Sequence, residues 1–281
     1  MTLLIERVGL TTVQDHGRSG WAHLGVSHSG AADRTSFQLA NRLVGNPPQA
    51  AVLETAGGLA VRATADTFVV LTGSECDAEL DDRVIPHCQP TVMRTGSLLR
   101  VSNVRRGVFT YLGVAGGIQG PALLGSRSHD TLGNIVPLPL IAGGELRIGT
   151  TYGNPLGVDA PMMPRDTDRV GITTGPHGDI LHLDDRERIL HHVWTVSAEP
   201  NRVGVRLVGP TLQHQFTDDM HSFPLVRGAV QLTPANELVV MVADHPTTGG
   251  YPVVGVVPPS DVDRLAQARI GARVTWEWKS I

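Results

Sequence analysis

The chain has 281 residues, 41% hydrophobic and 18% charged, which is enough apolar content for a sizeable core and a length that predicts two domains. Its net charge of −4 comes from acids and bases mixed along the sequence, which excludes the electrostatic footprint of a nucleic-acid binder and a polybasic membrane surface. No apolar run approaches the ~18 residues of a spanning helix, and Glu6 interrupts the short N-terminal apolar stretch, so the expected location is the cytoplasm, with Cys76 and Cys88 as free, buried thiols.

The first polar knot is TTVQDHGRSGW (11–21), which sets Gln14, Asp15 and Arg18 beside two glycines. Asp15 and Arg18 read equally as an internal bridge and as a two-pronged anion clamp. VSHSGAADR (26–34) has no G-x-S-x-G elbow, so Ser29 is better explained as the N-cap of the following helix, with Asp33 near its first turn. That helix is expected over 29–46, burying Phe37, Ala40, Leu43 and Val44 and stopping at Gly45-Asn46-Pro47-Pro48.

Short β-branched runs follow at 67–73, 96–102 and 108–117, each ended by turn residues. Their rhythm is that of sandwiches and barrels, not of strand–helix alternation. LGSRSHD (124–130) is a second polar knot, where Arg127 is a plausible anion contact and a loop hydrogen-bond network is the plain alternative. GELRIGT (144–150) reads as the closing strand of a first unit, spanning 1–155, and the Gly/Pro-rich 150–164 as a linker to a second unit, 165–281. The N-terminal strand is allowed to pair with that second unit.

A helix is expected over 184–194 with an Ile189, Leu190 and Val193 face. Residues 17–26 and 201–210 share R-x-G followed by a further Gly, a faint sign of a repeated unit. LVVMVA (238–243) is a strand leading into ADHPTTGGYPVV (243–254). There Gly249 and Gly250 read as turn residues with φ > 0 and Asp244 as the turn's cap. With no Walker lysine this is not a P-loop, although the 247–250 backbone amides suit an anion. SDVDRLAQARIG (260–271) looks like a capped helix and ARVTWEW (272–278) like a closing strand. The 12 histidines form no HExxH and no H-x-H pair, and no CxxC occurs, so no metal is expected.

Nine motifs, in order, carry a resemblance: TVQDHGRSGW, GVSHSGAADR, LANRLVGN, LETAGG, YLGVAGGI, LGSRSHD, RVGVRLVGP, RGAVQL and ADHPTTGGYP. Together they resemble the KipA/PxpC family, also called allophanate hydrolase subunit 2 or the biotin-dependent carboxyltransferase A/B region. The resemblance implies a mainly β fold of two cyclophilin-like β-barrel units with a few short helices. It also implies a complex with a KipI/PxpB-like subunit, completed by a PxpA-like subunit in ATP-dependent 5-oxoprolinase, which opens the lactam of 5-oxoproline to glutamate. On that reading ATP with Mg serves the complex.

Two alternatives come with the family: carboxyl transfer in a biotin-dependent urea carboxylase system, and a non-catalytic antagonist of a kinase inhibitor. Lys279 is the sole lysine, so biotin would have to be carried by another protein. Residue type and motif membership assign catalysis to Asp15, Arg18 and Asp244. Substrate binding falls to Gln14, Ser29, Asp33, Arg127, Ser128, Thr247, Thr248, Gly249, Gly250 and Tyr251. Asp244 and the 247–251 backbone are expected to wall a cleft facing residues 14–18. The chain departs from the family at His129, where a hydroxyl is common, and at His245-Pro246, ahead of T-T-G-G-Y.

Overall fold

Alternation sets the first strand, β1 (Thr2–Arg7): Leu3 and Ile5 are buried while Glu6 and Arg7 stay exposed. A computed structural model describes residues 1–157, 168–199, 201–213 and 220–279. It divides into two compact units, the first comprising Met1–Ser19, Ser29–Asp130 and Asn134–Pro164, the second Gly20–His28, Thr131–Gly133 and Arg165–Ile281. The linker expected at 150–164 lies outside the described residues from 158 on.

The first unit is a 10-stranded sheet. Its strands are β1, β2 (Thr11–Gln14), β3 (Val52–Thr55), β4 (Leu59–Ala63), β5 (Thr67–Leu80), β6 (Arg83–Val84), β7 (Thr91–Met93), β8 (Leu98–Val114), β9 (Ile118–Gln119) and β10 (Glu145–Ile148). The main path runs β2-β3-β8-β4-β1-β10-β9, with β5 laid along β8. The sheet curls until Ile118 of β9 meets Ala51, just ahead of β3, through an isolated bridge. Its inner face holds Leu3, Ile5, Leu53, Val61, Leu71, Leu99 and Leu112, each worth about 1.5–3 kcal/mol when fully buried.

The runs at 96–102 and 108–117 are not two strands. They form one long β8, because β5 pairs with it across the charged stretch between them, Glu75 opposite Arg106 and Cys76 opposite Val104. Register shifts between Gly73 and Ala78 absorb the mismatch as bulges.

The single long helix of this unit, α1 (Arg34–Leu43), buries Phe37, Ala40 and Leu43 as its spacing predicts, and Val44 with them. Its N-cap is Asp33, not Ser29: the carboxylate accepts from Ser36 N at 3.0 Å and Ser36 Oγ at 2.6 Å. Ser29 sits in the left-handed region at φ 55°, where no cap geometry is available. Gly45 at φ 71° ends the helix.

The second unit is a closed barrel of seven strands in the order β11-β18-β15-β16-β13-β12-β19. These are β11 (Arg169–Thr174), β12 (Trp194–Val196), β13 (Gly204–Val208), β15 (Ala229–Leu232), β16 (Leu238–Met241), β18 (Val253–Val256) and β19 (Arg273–Trp278). A small ribbon pairs β14 (Phe223–Pro224) with β17 (Thr248–Gly249). The fold is therefore mainly β with few helices, the closed barrel in one unit and the curled sheet in the other.

Both remaining helices differ from expectation. In α2 (Leu183–His191) it is Asp185 and Ile189 that are buried, while Leu190 is half-buried and Val193 exposed. In α3 (Pro259–Leu265) the chain enters through Pro258 with no side-chain cap, so Ser260 already lies inside the helix and caps nothing. The supposed repeat fails too, because 201–210 contributes β13 whereas 17–26 holds only a 3-10 turn at Ala22–Leu24. Cys76 and Cys88 are free thiols, Cys88 buried and Cys76 half-buried. No helix among the described residues is long and apolar enough to cross a membrane.

Candidate functional site

Asp15 directly follows β2 and turns the chain into a tight glycine loop, which brings backbone donors to its own carboxylate. Oδ1 accepts from Gly17 N at 2.8 Å, Ser126 Oγ at 2.6 Å and Ser128 Oγ at 2.6 Å, while Oδ2 accepts from Arg127 N at 2.7 Å. Asp15 N in turn donates to Ser128 Oγ at 2.9 Å, and Ser128 N to Ser126 Oγ at 2.9 Å. The two polar knots of the first unit are thus one network, sewn by a carboxylate that accepts four hydrogen bonds.

Asp15 and Arg18 do not bridge each other. The Arg18 guanidinium lies buried at 1% exposure and donates through a terminal nitrogen to the Ser128 carbonyl. It is thus a buried guanidinium, not a surface one. Arg127 is the half-buried guanidinium of this cluster. Its Nε donates to Gly120 O at 3.0 Å, and its terminal nitrogens have no partner among the described residues.

Gln14 is fully buried, with Nε2 donating to Thr12 Oγ1 at 3.0 Å and His129 O at 2.9 Å. Its Oε1 meets no donor among the described residues. Ser29 Oγ reaches the same His129 carbonyl at 3.2 Å, and Ala31 N bonds Asp15 O at 3.1 Å. Gly30, at φ 89°, is needed here because a Cβ would sit 2.9 Å from the His16 backbone carbon. The first unit therefore gathers Gln14, Asp15, Arg18, Ser29, Arg127 and Ser128. Asp33 stands one step away as the helix cap.

Behind them lies a carboxylate that the motifs alone do not single out. Glu54 Oε2 accepts from Ala32 N at 2.9 Å and from Tyr111 Oη at 2.8 Å, and Asp33 N donates to Tyr111 Oη at 2.7 Å. Burial, with the Glu54 and Asp33 carboxylates nearby, pushes the Tyr111 phenol up. Glu54 sits in LETAGG within β3, whose four residues are all buried, and an acid there breaks the apolar pattern. That break is the signal that points to it.

In the second unit Asp244 is sealed from solvent. Arg202 Nε and a terminal nitrogen grip its two oxygens at 2.9 Å each, and Thr131 adds its N at 2.9 Å and Oγ1 at 2.8 Å. Asp244 anchors Arg202, just ahead of β13, and Thr131. Arg202, inside RVGVRLVGP, is the other residue that sequence reasoning misses.

Beyond Asp244, Leu225 N bonds Thr247 O at 2.9 Å, and Gln231 Nε2 bonds Tyr251 O at 2.9 Å. Gly249 and Gly250 do not adopt positive φ. Gly249 instead allows a close approach, since a Cβ would meet Gln231 Nε2 at 2.7 Å and Leu225 Cδ1 at 2.8 Å and force those side-chain ends to shift. Thr248, Gly250 and Tyr251 are exposed, and Thr247 and Gly249 half-buried. Among the described residues no three His, Cys, Asp or Glu side chains gather as a metal-holding group.

Residues 24–278 match the family model described as carboxyltransferase domain, subdomain A and B. The chain is 34% identical over 274 residues to the C subunit of 5-oxoprolinase from Escherichia coli (strain K12), a match covering 96% of this chain and 88% of that protein. It is 31% identical over 287 residues to urea amidolyase of Saccharomyces cerevisiae, covering 93% of this chain but only 16% of the relative. The crystal structure of the K. lactis urea amidolyase superposes with a TM-score of 0.92 at 29% identity, covering 99% of this chain and 19% of that one.

Proposed function

Since the chain belongs to the carboxyltransferase domain family of subdomains A and B, we propose that it is the C subunit of an ATP-dependent 5-oxoprolinase, opening the lactam of 5-oxoproline to glutamate. The observation that carries this reading is the match to the C subunit of E. coli 5-oxoprolinase, which takes in 88% of that protein, so the two share nearly their whole length. The partners are a KipI/PxpB-like and a PxpA-like subunit, and ATP with Mg serves the complex.

An unstrained lactam is a poor electrophile. Phosphorylating its carbonyl oxygen creates a good leaving group and develops charge that needs donors around it. Within the first unit the Arg127 terminal nitrogens can donate; within the second, Thr247, Thr248 and Tyr251 offer contacts. Asp15 and Asp244, with their oxygens occupied, serve as positioning groups, and Arg18, Ser128, Gln14 and Ser29 hold the loop that carries Arg127. Asp33 fixes the start of α1, and Gly249 lets the knot approach Gln231.

The test is reconstitution of all subunits with ATP and Mg2+, measuring ADP and glutamate with and without 5-oxoproline. ATP hydrolysis that depends on 5-oxoproline and yields glutamate supports the reading. Lack of coupled turnover in the full complex sinks it, and complex formation without turnover favours a non-catalytic antagonist.

The urea amidolyase matches favour a second reading, carboxyl transfer from carboxybiotin to urea. With Lys279 the sole lysine, biotin would arrive on another protein. Avidin-sensitive activity with urea would select it.

A further inference from the structure

His245 follows the clamped Asp244 directly and opens the exposed knot of the second unit. Its ring is buried at 7% exposure, and Nδ1 lies 2.8 Å from the Pro246 carbonyl. A carbonyl oxygen only accepts, so Nδ1 carries the hydrogen and Nε2 is left with a lone pair. Nε2 has no hydrogen-bond partner among the described residues.

The ring is held from both sides. Asp244, gripped by Arg202 and Thr131, fixes the backbone before it, and Pro246 fixes its tautomer. The charged and titratable groups facing it are His28, Arg227 and Asp244. Burial holds the imidazole below its ordinary pKa, and the positive charges of His28 and Arg227 push the same way against Asp244 and the Pro246 bond.

We propose that His245 is a specificity-determining residue whose Nε2 accepts a hydrogen bond from an N–H of the substrate. An acceptor-only atom, fixed in place and neutral at physiological pH, selects for a donor. On the 5-oxoproline reading, from which this inference takes its substrate, the sole N–H of that molecule is the lactam's. A site built around such a bond rejects an isostere without it, because the acceptor is then left unpaired.

The experiment measures binding of 5-oxoproline and of 3-oxocyclopentane-1-carboxylate, in which CH2 replaces N–H, to the reconstituted complex without ATP. The wild-type complex binds the carbocycle at least about 10-fold more weakly. His245→Ala loses that preference. His245→Gln, whose amide oxygen replaces the acceptor, keeps most of it, which mere repacking would not do. A preference unchanged in His245→Ala overturns the proposal. Should the complex bind urea and not 5-oxoproline, the functional reading fails, and the same variants are compared with urea against acetone, which lacks its donors. Loss of that discrimination in His245→Ala sustains the acceptor role, and its retention overturns it.

Discussion

Arg202 and Asp244 meet through two parallel hydrogen bonds of 2.9 Å, with the side chains at 5% and 0% exposure. Such a fork satisfies a buried carboxylate that would otherwise be costly to hold out of water. Asp244→Ala takes this carboxylate from a buried guanidinium, and is expected to lower stability by about 3–5 kcal/mol. Arg202→Lys keeps the charge but loses the planar fork, and should recover only part of the loss. Urea unfolding midpoints of the three proteins check this ordering. Equal midpoints for wild type and Asp244→Ala would refute it.

Asp15 presents the same logic with neutral donors. Asp15→Asn keeps one accepting oxygen but points an NH2 at hydroxyls and an amide that themselves donate, so about 1–3 kcal/mol of stability is lost. Ser126→Ala, which removes one donor, should cost about 1 kcal/mol. If Asp15 positions the loop, Asp15→Asn lowers turnover of the reconstituted complex without moving its pH optimum. A displaced optimum would mean the carboxylate itself exchanges a proton.

The two glycines of the exposed knot part company. Gly249→Ala puts a Cβ into Gln231 and Leu225, an overpacking expected to cost about 1–3 kcal/mol. Gly250→Ala finds only Met220 O, at 4.0 Å, and has no positive φ to violate, so its stability should stay near wild type. Thermal melts of the two variants decide the matter. The prediction fails if Gly250→Ala is the more damaged.

Much of this architecture is legible in the residues. The apolar face of α1 and the β-branched core of β16 follow from spacing and composition, because side-chain direction is set locally. What hid was anything decided by a distant partner. The charged stretch inside β8 looks like a turn until β5 pairs across it. Ser29 is as good a cap as Asp33 until the turn at φ 55° assigns the cap to Asp33. At the polar clusters, residue type marked Asp15 and Asp244 as interesting but did not show their partners, because the Ser126, Ser128, Thr131 and Arg202 that bond them lie tens of residues away. Those donors are what hold the two carboxylates in place.

Two histidines make stability sensitive to mild acid. Burial is the first cause lowering both His87 and His245 below the ordinary value of 6.5. Between 6.5 and the depressed folded values the unfolded chain binds more protons than the native one, so stability rises with pH. The contribution is fully present above 6.5 and is lost as pH falls through the folded values. Urea midpoints should therefore drop between about pH 7.5 and 5.5. His245→Gln, which does not titrate, should flatten that slope in proportion to one of the two groups, and pairing it with His87→Gln should flatten it further. Carboxylates titrate lower and contribute little in this window. A double variant with the wild-type slope would show that neither ring is held neutral by the fold.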